Sequence, residues 1–174
     1  LFGDDMKEIE LETSGFGQGF TATMIQEVAA ISAAINGGTY YEPHVVKEIT
    51  DEDGKVVKSI SPTVLKEVIS PDVSAEIREY MGMSVESGTS RSAKVQGYSM
   101  GGKTGTAEKL KETADNKEEG IDVKNYLVSY VGFAPLDDPQ VVIYVVVDTP
   151  NVESQASSQY AQYIAQAIFS EVLP

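Results

Sequence analysis

A run of seven apolar residues, at positions 141–147, is the feature that most constrains the fold. It consists of β-branched residues, one of them isoleucine, around the single aromatic Tyr144. A run of this kind without polar alternation predicts a strand that is covered on both faces and has neighbours along both edges. The chain offers obvious partner strands for only one of those edges, so we expect further strands of the sheet to be missing. The run is also far shorter than the ~20 apolar residues needed to cross a bilayer.

Local signals predict helices around this strand. Thr23 and Gln26 have the spacing of a capping box, apolar positions follow at helical spacing from Met24, and Asn36-Gly37-Gly38 supplies a stop. Ser70-Pro71 predicts the start of a second helix, which Gly88 ends. A third should start at Ser157 or Ser158 and pack on the sheet through an apolar stripe: Ala161, Ile164, Ala165, Ile168, Phe169 and Val172.

The remaining segments predict strands and loops. Residues 43–60 form a hairpin around the turn Asp51–Gly54, and residues 127–134 form a strand before 141–147. Residues 87–96 are expected to be a polar loop, and residues 108–120 a solvated loop or frayed helix. The predicted fold class is α/β (α+β), an incomplete antiparallel sheet flanked by helices. Residues 1–174 are predicted to be part of one domain, with a helical portion and hairpin at 1–97 and the sheet with its last helix at 98–174.

Composition excludes several classes of function. The chain has 13 Lys and Arg against 27 Asp and Glu, a net charge of −14, which would repel a nucleic-acid backbone. It has no cysteine, so disulfides, thiolate catalysis and cysteine-based zinc sites are excluded. The acidic turn near Asp51 lacks the later glutamate of a calcium loop. We expect neither a cofactor nor a metal.

The segment Gly101–Glu108 carries the strongest chemical signal, because it places a lysine, two threonines and three glycines within six residues. One interpretation is a phosphate-binding loop, since Gly97 to Thr104 satisfies G-x-x-x-x-G-K-[ST] and Asp148 could hold a metal. The other is the Lys-Thr-Gly motif of penicillin-binding proteins and serine β-lactamases, which lies on an edge strand.

The surrounding residues favour the edge strand. A phosphate loop must follow a buried strand and open a helix with a broad apolar face, but residues 90–96 are polar and residues 108–120 are mostly charged. The glycines fit an extended segment that a ligand approaches closely.

Several ordered motifs together resemble the C-terminal half of a penicillin-binding protein transpeptidase domain of the monofunctional (class B) cell-division or sporulation type. The resemblance runs from about Gly15 to Pro174, and Met24 departs from it, since the family usually has proline there. The matching segments are Gly17-Gln18-Gly19 with Thr23 and Gln26, Asn36-Gly37-Gly38 with Pro43, Gly101–Glu108, and Val131-Gly132-Phe133-Ala134-Pro135.

The family's nucleophile and base are missing. No lysine has a serine three residues before it, so Ser-x-x-Lys is absent, and Ser-x-Asn is absent too. Both elements precede the Gly-Gln-Gly segment in the family, so we expect the chain to begin after them and to be inactive alone.

The resemblance implies a role for each residue of the motif. It implies serine acyl transfer on D-alanyl-D-alanine peptides, with Lys103 and Thr106 as catalytic residues. Lys103 would supply positive potential, and Thr106 would face the cleft, bind the terminal carboxylate and give one oxyanion N–H. The implied substrate-binding residues are Gly102, Lys103, Thr104, Gly105 and Thr106.

The resemblance also implies the surroundings of the protein. Expected partners are peptidoglycan stem peptides, β-lactams, the missing N-terminal half, and cell-division or elongation proteins, at the extracytoplasmic face of a bacterial membrane. A non-catalytic interaction module of the same fold is the remaining alternative. His44, the single histidine, is expected to be a surface or structural residue, because no serine elbow accompanies it.

Overall fold

The computed structural model describes residues 7–15, 17, 21–112 and 118–174. The helices are α1 (Glu8–Ser14), α2 (Met24–Ile35), α3 (Pro71–Glu86) and α4 (Gln159–Val172), and a 3₁₀ turn spans Arg91–Ala93. The strands are β1 (Thr39–Tyr41), β2 (Glu48–Thr50), β3 (Val56–Ser59), β4 (Val64–Glu67), β5 (Gly101–Glu112), β6 (Glu118–Ala134) and β7 (Val141–Asp148).

The main sheet is antiparallel in the order β5-β6-β7 and carries helices on both faces. Its register places Lys103 opposite Val131, and Val131 opposite Tyr144. One face packs against α4 through a cluster that includes Tyr130 and Phe169. The other packs against α2 through a cluster that includes Ile35 and Phe133. Helix α3 contributes to both clusters, so the predicted sheet flanked by helices is confirmed.

The helix boundaries follow the predicted local signals. The Thr23 side chain accepts the N–H of Gln26 at 3.3 Å, and the Gln26 side chain accepts the N–H of Thr23 at 2.9 Å, which completes a capping box. Helix α2 ends at Ile35 with Asn36 as its C-cap, and Gly38 adopts the left-handed φ of 105° that favours glycine. The Ser70 hydroxyl caps α3 by accepting the N–H of Val73.

Helix α4 departs from the prediction on one side of its stripe. Ala161, Ala165 and Phe169 are fully buried, as expected. Three stripe residues are instead exposed: Ile164 at 46%, Ile168 at 40% and Val172 at 51%. Gln162, a polar residue outside the predicted stripe, is only 1% exposed. The buried face of α4 is therefore rotated from the apolar stripe toward Gln162.

The prediction of a solvated loop or frayed helix for the charged segment 108–120 is wrong in the part that the structure describes. Strand β5 continues to Glu112 and β6 begins at Glu118, so both arms are strand, while residues 113–117 lie outside the described residues. Main-chain pairing between the two segments, such as Lys109 with Asp122, holds them extended. Near its start this arm also carries an ion pair between Lys109 and Asp148 at 2.8 Å.

The peripheral part contains two small two-stranded sheets. The hairpin of β2 and β3 around Asp51–Gly54 is confirmed, although β2 begins at Glu48. The pairing of β1 with β4 brings together segments more than twenty residues apart, and the local sequence gave no signal for it.

Strand β7 lies at an edge of the main sheet. It pairs with β6 on one side, and among the described residues no strand pairs with its other side. All of its residues except Asp148 are half-buried, so both faces are partly covered. Within the described ranges, no helix combines the length and the apolar character that a membrane span requires.

Candidate active-site wall

The Lys-Thr-Gly segment lies on the other edge of the main sheet. Gly101 to Thr106 form the first half of β5, each paired in antiparallel register with β6. The backbone at Lys103 is extended, and no helix begins there. A phosphate loop requires that helix, so the phosphate-binding interpretation of Gly97 to Thr104 is wrong.

The side chains of this segment alternate between the two faces of the sheet. On the α4 side, the Thr104 hydroxyl lies 3.3 Å from the Thr89 hydroxyl, and the Thr106 hydroxyl donates to the Ala156 carbonyl at 3.4 Å. Gly105 belongs to the α2 side, where an added Cβ would come within 2.5 Å of the Ser129 hydroxyl oxygen. Lys103, two positions earlier, shares that side.

Two glycines of the motif are required by packing. A Cβ on Gly101 would lie 2.2 Å from the ring of Phe133, and a Cβ on Gly102 would lie 2.1 Å from the Tyr130 hydroxyl. Both rings are fully buried. Glycine at these positions therefore lets two aromatic side chains of β6 lie directly against the backbone of β5.

The segment Gly101–Thr106 forms a wall at the edge of the sheet, and the Tyr130 hydroxyl is the polar atom buried beneath it. It finds no hydrogen-bond partner in the part of the chain that the structure describes. Burial raises the pKa of the phenol well above its ordinary value, so the group stays neutral. The ring and its hydroxyl lie directly under the backbone of Gly102.

Lys103 supplies the positive charge of the wall. Its side chain is exposed, and its ammonium donates to the carbonyl oxygen of Thr104 at 2.7 Å. Across the described ranges, ion pairs form at Lys94 with Glu86 and at Lys109 with Asp148, and none forms at Lys103. The charge of Lys103 is thus not neutralised by a carboxylate of the described chain and remains free to attract an anion.

A cleft of about 790 Å³ runs beside the wall, between α2 and the α2-facing side of the sheet. It is lined by β5 from Lys103 to Ala107 and by side chains of mixed character from the other elements: Thr23, Met24, Glu27, Ile31, Leu127, Ser129, Val131, Tyr144 and Val146. Burial raises the pKa of Tyr144; a hydrogen bond with Ser129 opposes this rise, and the charge of Glu27 adds to it. The cleft has the size of a small-ligand site.

Among the described residues, the cleft contains no pair of groups that could start acyl transfer and no cluster that could bind a metal. The sequence has no Ser-x-x-Lys pair. No group of three His, Cys, Asp or Glu side chains with metal-binding geometry occurs in the described ranges. The arrangement can attract a carboxylate and donate hydrogen bonds to it, but it holds no activated nucleophile.

His44 and Asp148, which the sequence did not favour as a catalytic residue and a metal ligand, make structural contacts. His44 is exposed, and its Nδ1 lies 3.0 Å from the Val46 carbonyl oxygen. Asp148 is a strand-end acid: hydrogen bonds from Lys109 and Thr149 lower the pKa of its carboxyl.

Two residues next to the wall were missed by sequence reasoning. Thr89 contacts Thr104, and the buried Gln162 of α4 holds the backbone of Thr89 and Ser92. A polar residue in an apolar helix pattern was the available signal for Gln162, while Thr89 lies in a segment taken for a plain polar loop.

A family model described as the penicillin binding protein transpeptidase domain matches residues 2–173. The chain belongs to this family. It is 45% identical over 167 residues to Stage V sporulation protein D of Bacillus subtilis, covering 95% of this chain and 25% of that protein. It is 30% identical to the penicillin-binding protein PbpB of Mycolicibacterium smegmatis, covering 81% of this chain and 22% of the relative.

Solved transpeptidase structures share the fold. The transpeptidase domain of penicillin-binding protein 3 from Burkholderia pseudomallei superposes with a TM-score of 0.72 at 28% identity, covering 98% of this chain and 49% of that one. Penicillin-binding protein A of Mycobacterium tuberculosis, solved as a ceftriaxone acyl-enzyme complex, gives a TM-score of 0.80 at 22% identity, covering 99% of this chain and 37% of that one. The chain thus spans about a quarter of the length of its curated relatives and less than half of these solved chains.

Proposed function

We propose that this chain supplies the Lys-Thr-Gly wall of a serine-type peptidoglycan D,D-transpeptidase whose nucleophile and base lie elsewhere in the protein. One observation carries the proposal. An uncompensated lysine lies on an edge strand whose residues 103–107 line a cleft of about 790 Å³, in a chain with no Ser-x-x-Lys. The hydroxyls of Thr104 and Thr106, on the same strand, make their contacts on its α4 side. The name of a relative in Neisseria flavescens, a probable peptidoglycan D,D-transpeptidase PenA that is 29% identical, supports the substrate class.

The proposed reaction has two halves. A serine hydroxyl attacks the carbonyl carbon of a D-alanyl-D-alanine bond, the C–N bond breaks, and D-alanine leaves after taking up a proton. The acyl group remains as a serine ester until the amine of a second stem peptide attacks it and regenerates the hydroxyl. Neither half needs a redox cofactor, because no atom changes its oxidation state.

The wall stabilises the charges in this reaction. Lys103 raises the potential at the substrate carboxylate and at the catalytic serines, while Gly102, Thr104, Gly105 and Thr106 line the bound peptide. The N–H of Thr106 is one of the two donors to the oxyanion. Losing such a donor costs about 3–4 kcal/mol of transition-state stabilisation.

β-Lactams fit the same wall. Their amide carbonyl lies in a ring that the serine opens, and their carboxylate takes the place of the terminal carboxylate of the peptide. When the ring opens, the C–N bond breaks and the nitrogen takes up a proton, but it stays attached to the acyl group and does not depart as D-alanine does. The serine ester therefore persists and the enzyme stays blocked. The proposed function also places the site at the extracytoplasmic face of the membrane, with cell-division or elongation proteins as further partners.

A labelled penicillin tests the proposal on the full-length natural protein. We expect rapid covalent labelling of the wild type and at least a 100-fold lower second-order labelling rate in Lys103→Ala, a loss of the size seen when one group that stabilises the transition state is removed, on the order of 10²–10³. The matched control is Lys58→Ala, which removes an exposed lysine from the peripheral hairpin and should label at the wild-type rate.

The same experiment separates the alternative of a non-catalytic interaction module. A folded full-length protein that takes no label at saturating penicillin would rule out the transpeptidase and favour that module. Equal labelling of Lys103→Ala and the wild type would remove Lys103 from the site while leaving the reaction class intact.

A further inference from the structure

We propose that Thr89 is a positioning residue for the substrate wall: its hydroxyl holds that of Thr104, and the buried Gln162 of helix α4 holds Thr89 in place. This inference rests on the proposed transpeptidase function and adds to it a residue and a helix outside the Lys-Thr-Gly motif. The three residues lie on three separate elements: the loop after α3, strand β5 and helix α4.

Gln162 is the fixed point of the arrangement. It is 1% exposed, and its amide is satisfied at both ends. Its Oε1 accepts the N–H of Ser92 at 3.1 Å, and its Nε2 donates to the Thr89 carbonyl at 3.0 Å and to the Ser158 hydroxyl at 3.2 Å. The buried amide cannot rotate without leaving these backbone groups unpaired, so it fixes the backbone of Thr89 and Ser92 relative to α4.

The loop that carries Thr89 is held at further points. The Ser84 hydroxyl donates to the hydroxyl of Ser90 at 2.8 Å, and Ser90 is fully buried. Gln166, one turn beyond Gln162, donates to the Lys94 carbonyl at 2.7 Å. The backbone of Thr89 therefore has a defined position, although its side chain is exposed.

The contact with the wall is made by hydroxyls. Thr89 Oγ1 lies 3.3 Å from Thr104 Oγ1, and either hydroxyl can donate. A threonine on a strand edge would otherwise exchange between χ1 rotamers, and a partner at a fixed position favours one of them. The carbonyl oxygen of Thr104 also accepts a hydrogen bond from the Lys103 ammonium at 2.7 Å. A shift of Thr104 therefore moves the cation as well.

The function of this arrangement is to hold the anion-binding groups of the wall in place before the substrate arrives. A preorganised wall binds a carboxylate without having to order Thr104 and Lys103 first. Loss of the Thr89 hydroxyl should weaken the noncovalent complex and have little effect on the later attack by the serine.

The test uses the full-length natural protein and stopped-flow acylation by a chromogenic cephalosporin, which separates the dissociation constant of the noncovalent complex from the acylation rate. For Thr89→Val we expect the dissociation constant to rise about 3- to 10-fold, the range that one hydrogen bond supports, with an acylation rate near that of the wild type. Thr89→Ser should restore binding, because it keeps the hydroxyl. Thr50→Val, an exposed threonine on β2, is the matched control and should change neither constant.

A crystal structure of Thr89→Val supplies a second readout that needs no activity. A changed Thr104 rotamer or a displaced Lys103 supports the inference. If neither residue differs from the wild type, the inference is overturned. If the wild type is not acylated at all, the proposed function fails and the role toward a substrate fails with it, while the crystal structure still decides whether Thr89 positions Thr104 and Lys103. If the wild type is acylated and Thr89→Val matches it in both constants, the positioning role is overturned and the proposed function stands.

Discussion

At the scale of single residues, Gly102 shows why the motif contains glycine. An added methyl group would meet the Tyr130 hydroxyl at 2.1 Å, and Tyr130 is fully buried and cannot withdraw. We expect Gly102→Ala to lower the free energy of unfolding by about 1–3 kcal/mol, the usual cost of overpacking. Urea denaturation followed by circular dichroism measures this loss.

Gly105→Ala is the matched comparison on the same strand. Its methyl group would meet the Ser129 hydroxyl oxygen at 2.5 Å, and that atom ends a side chain which can rotate away. This variant should lose clearly less stability than Gly102→Ala. Equal losses in the two would mean that the Tyr130 ring does not set the requirement for glycine.

At the scale of secondary-structure elements, the ion pair of Lys109 with Asp148 connects β5 to the end of β7 across β6. Hydrogen bonds from Lys109 and then Thr149 lower the pKa of the Asp148 carboxyl from its ordinary value of 3.8. Its contribution to stability is therefore present above that value and is lost as the pH falls through the lower folded-state pKa. Because the Lys109 side chain is 39% exposed and that of Asp148 is 57% exposed, solvent screens the pair and the contribution is small.

Urea unfolding of Lys109→Met at two pH values tests this link. The variant should be less stable than the wild type at pH 6, and the difference should shrink as the pH falls below 3.8 and through the lower pKa of folded Asp148. Lys58→Met, in the peripheral hairpin, is the control and should show no such change with pH. A difference that stays constant over the whole range would contradict the assignment.

The elements also show what the sequence could predict. Helix starts at Thr23 and Ser70 depend on neighbouring residues, and both were predictable. The extension of β5 to Glu112 was not, because a charged arm is held there by main-chain pairing with a segment that lies later in the chain. The burial of Gln162 was not predictable either, because its partners are backbone groups about seventy residues away.

The residues in and around the wall also fall into those that the sequence could predict and those that it could not. Lys103, Thr104 and Thr106 were identified from the motif, and their place on an edge strand followed from the polar residues around them. Thr89 was missed, since the contact between it and Thr104 depends on how the loop after α3 folds. The exposure of Ile164 could not be predicted, because an apolar stripe at helical spacing does not determine which of its residues pack against another element.

At the scale of the whole molecule, the wall is present and the chemistry that it would serve is incomplete. We expect the 174-residue chain alone to form no covalent adduct with penicillin, because it has no serine followed three residues later by a lysine. Intact-mass spectrometry after incubation with a large excess of penicillin measures this directly. The full-length protein, treated in parallel, is the positive control, and a stable mass increase on the isolated chain would contradict the expectation.

Helix α4 contacts both the main sheet and the loop that carries Thr89. Under the proposed function and the proposed role of Thr89, proteolytic trimming in this helix, or a fusion partner that strains it, changes β-lactam affinity while leaving every residue of the Lys-Thr-Gly segment intact. Binding assays on tagged or shortened versions of this protein would then report the condition of α4 as much as that of the pocket.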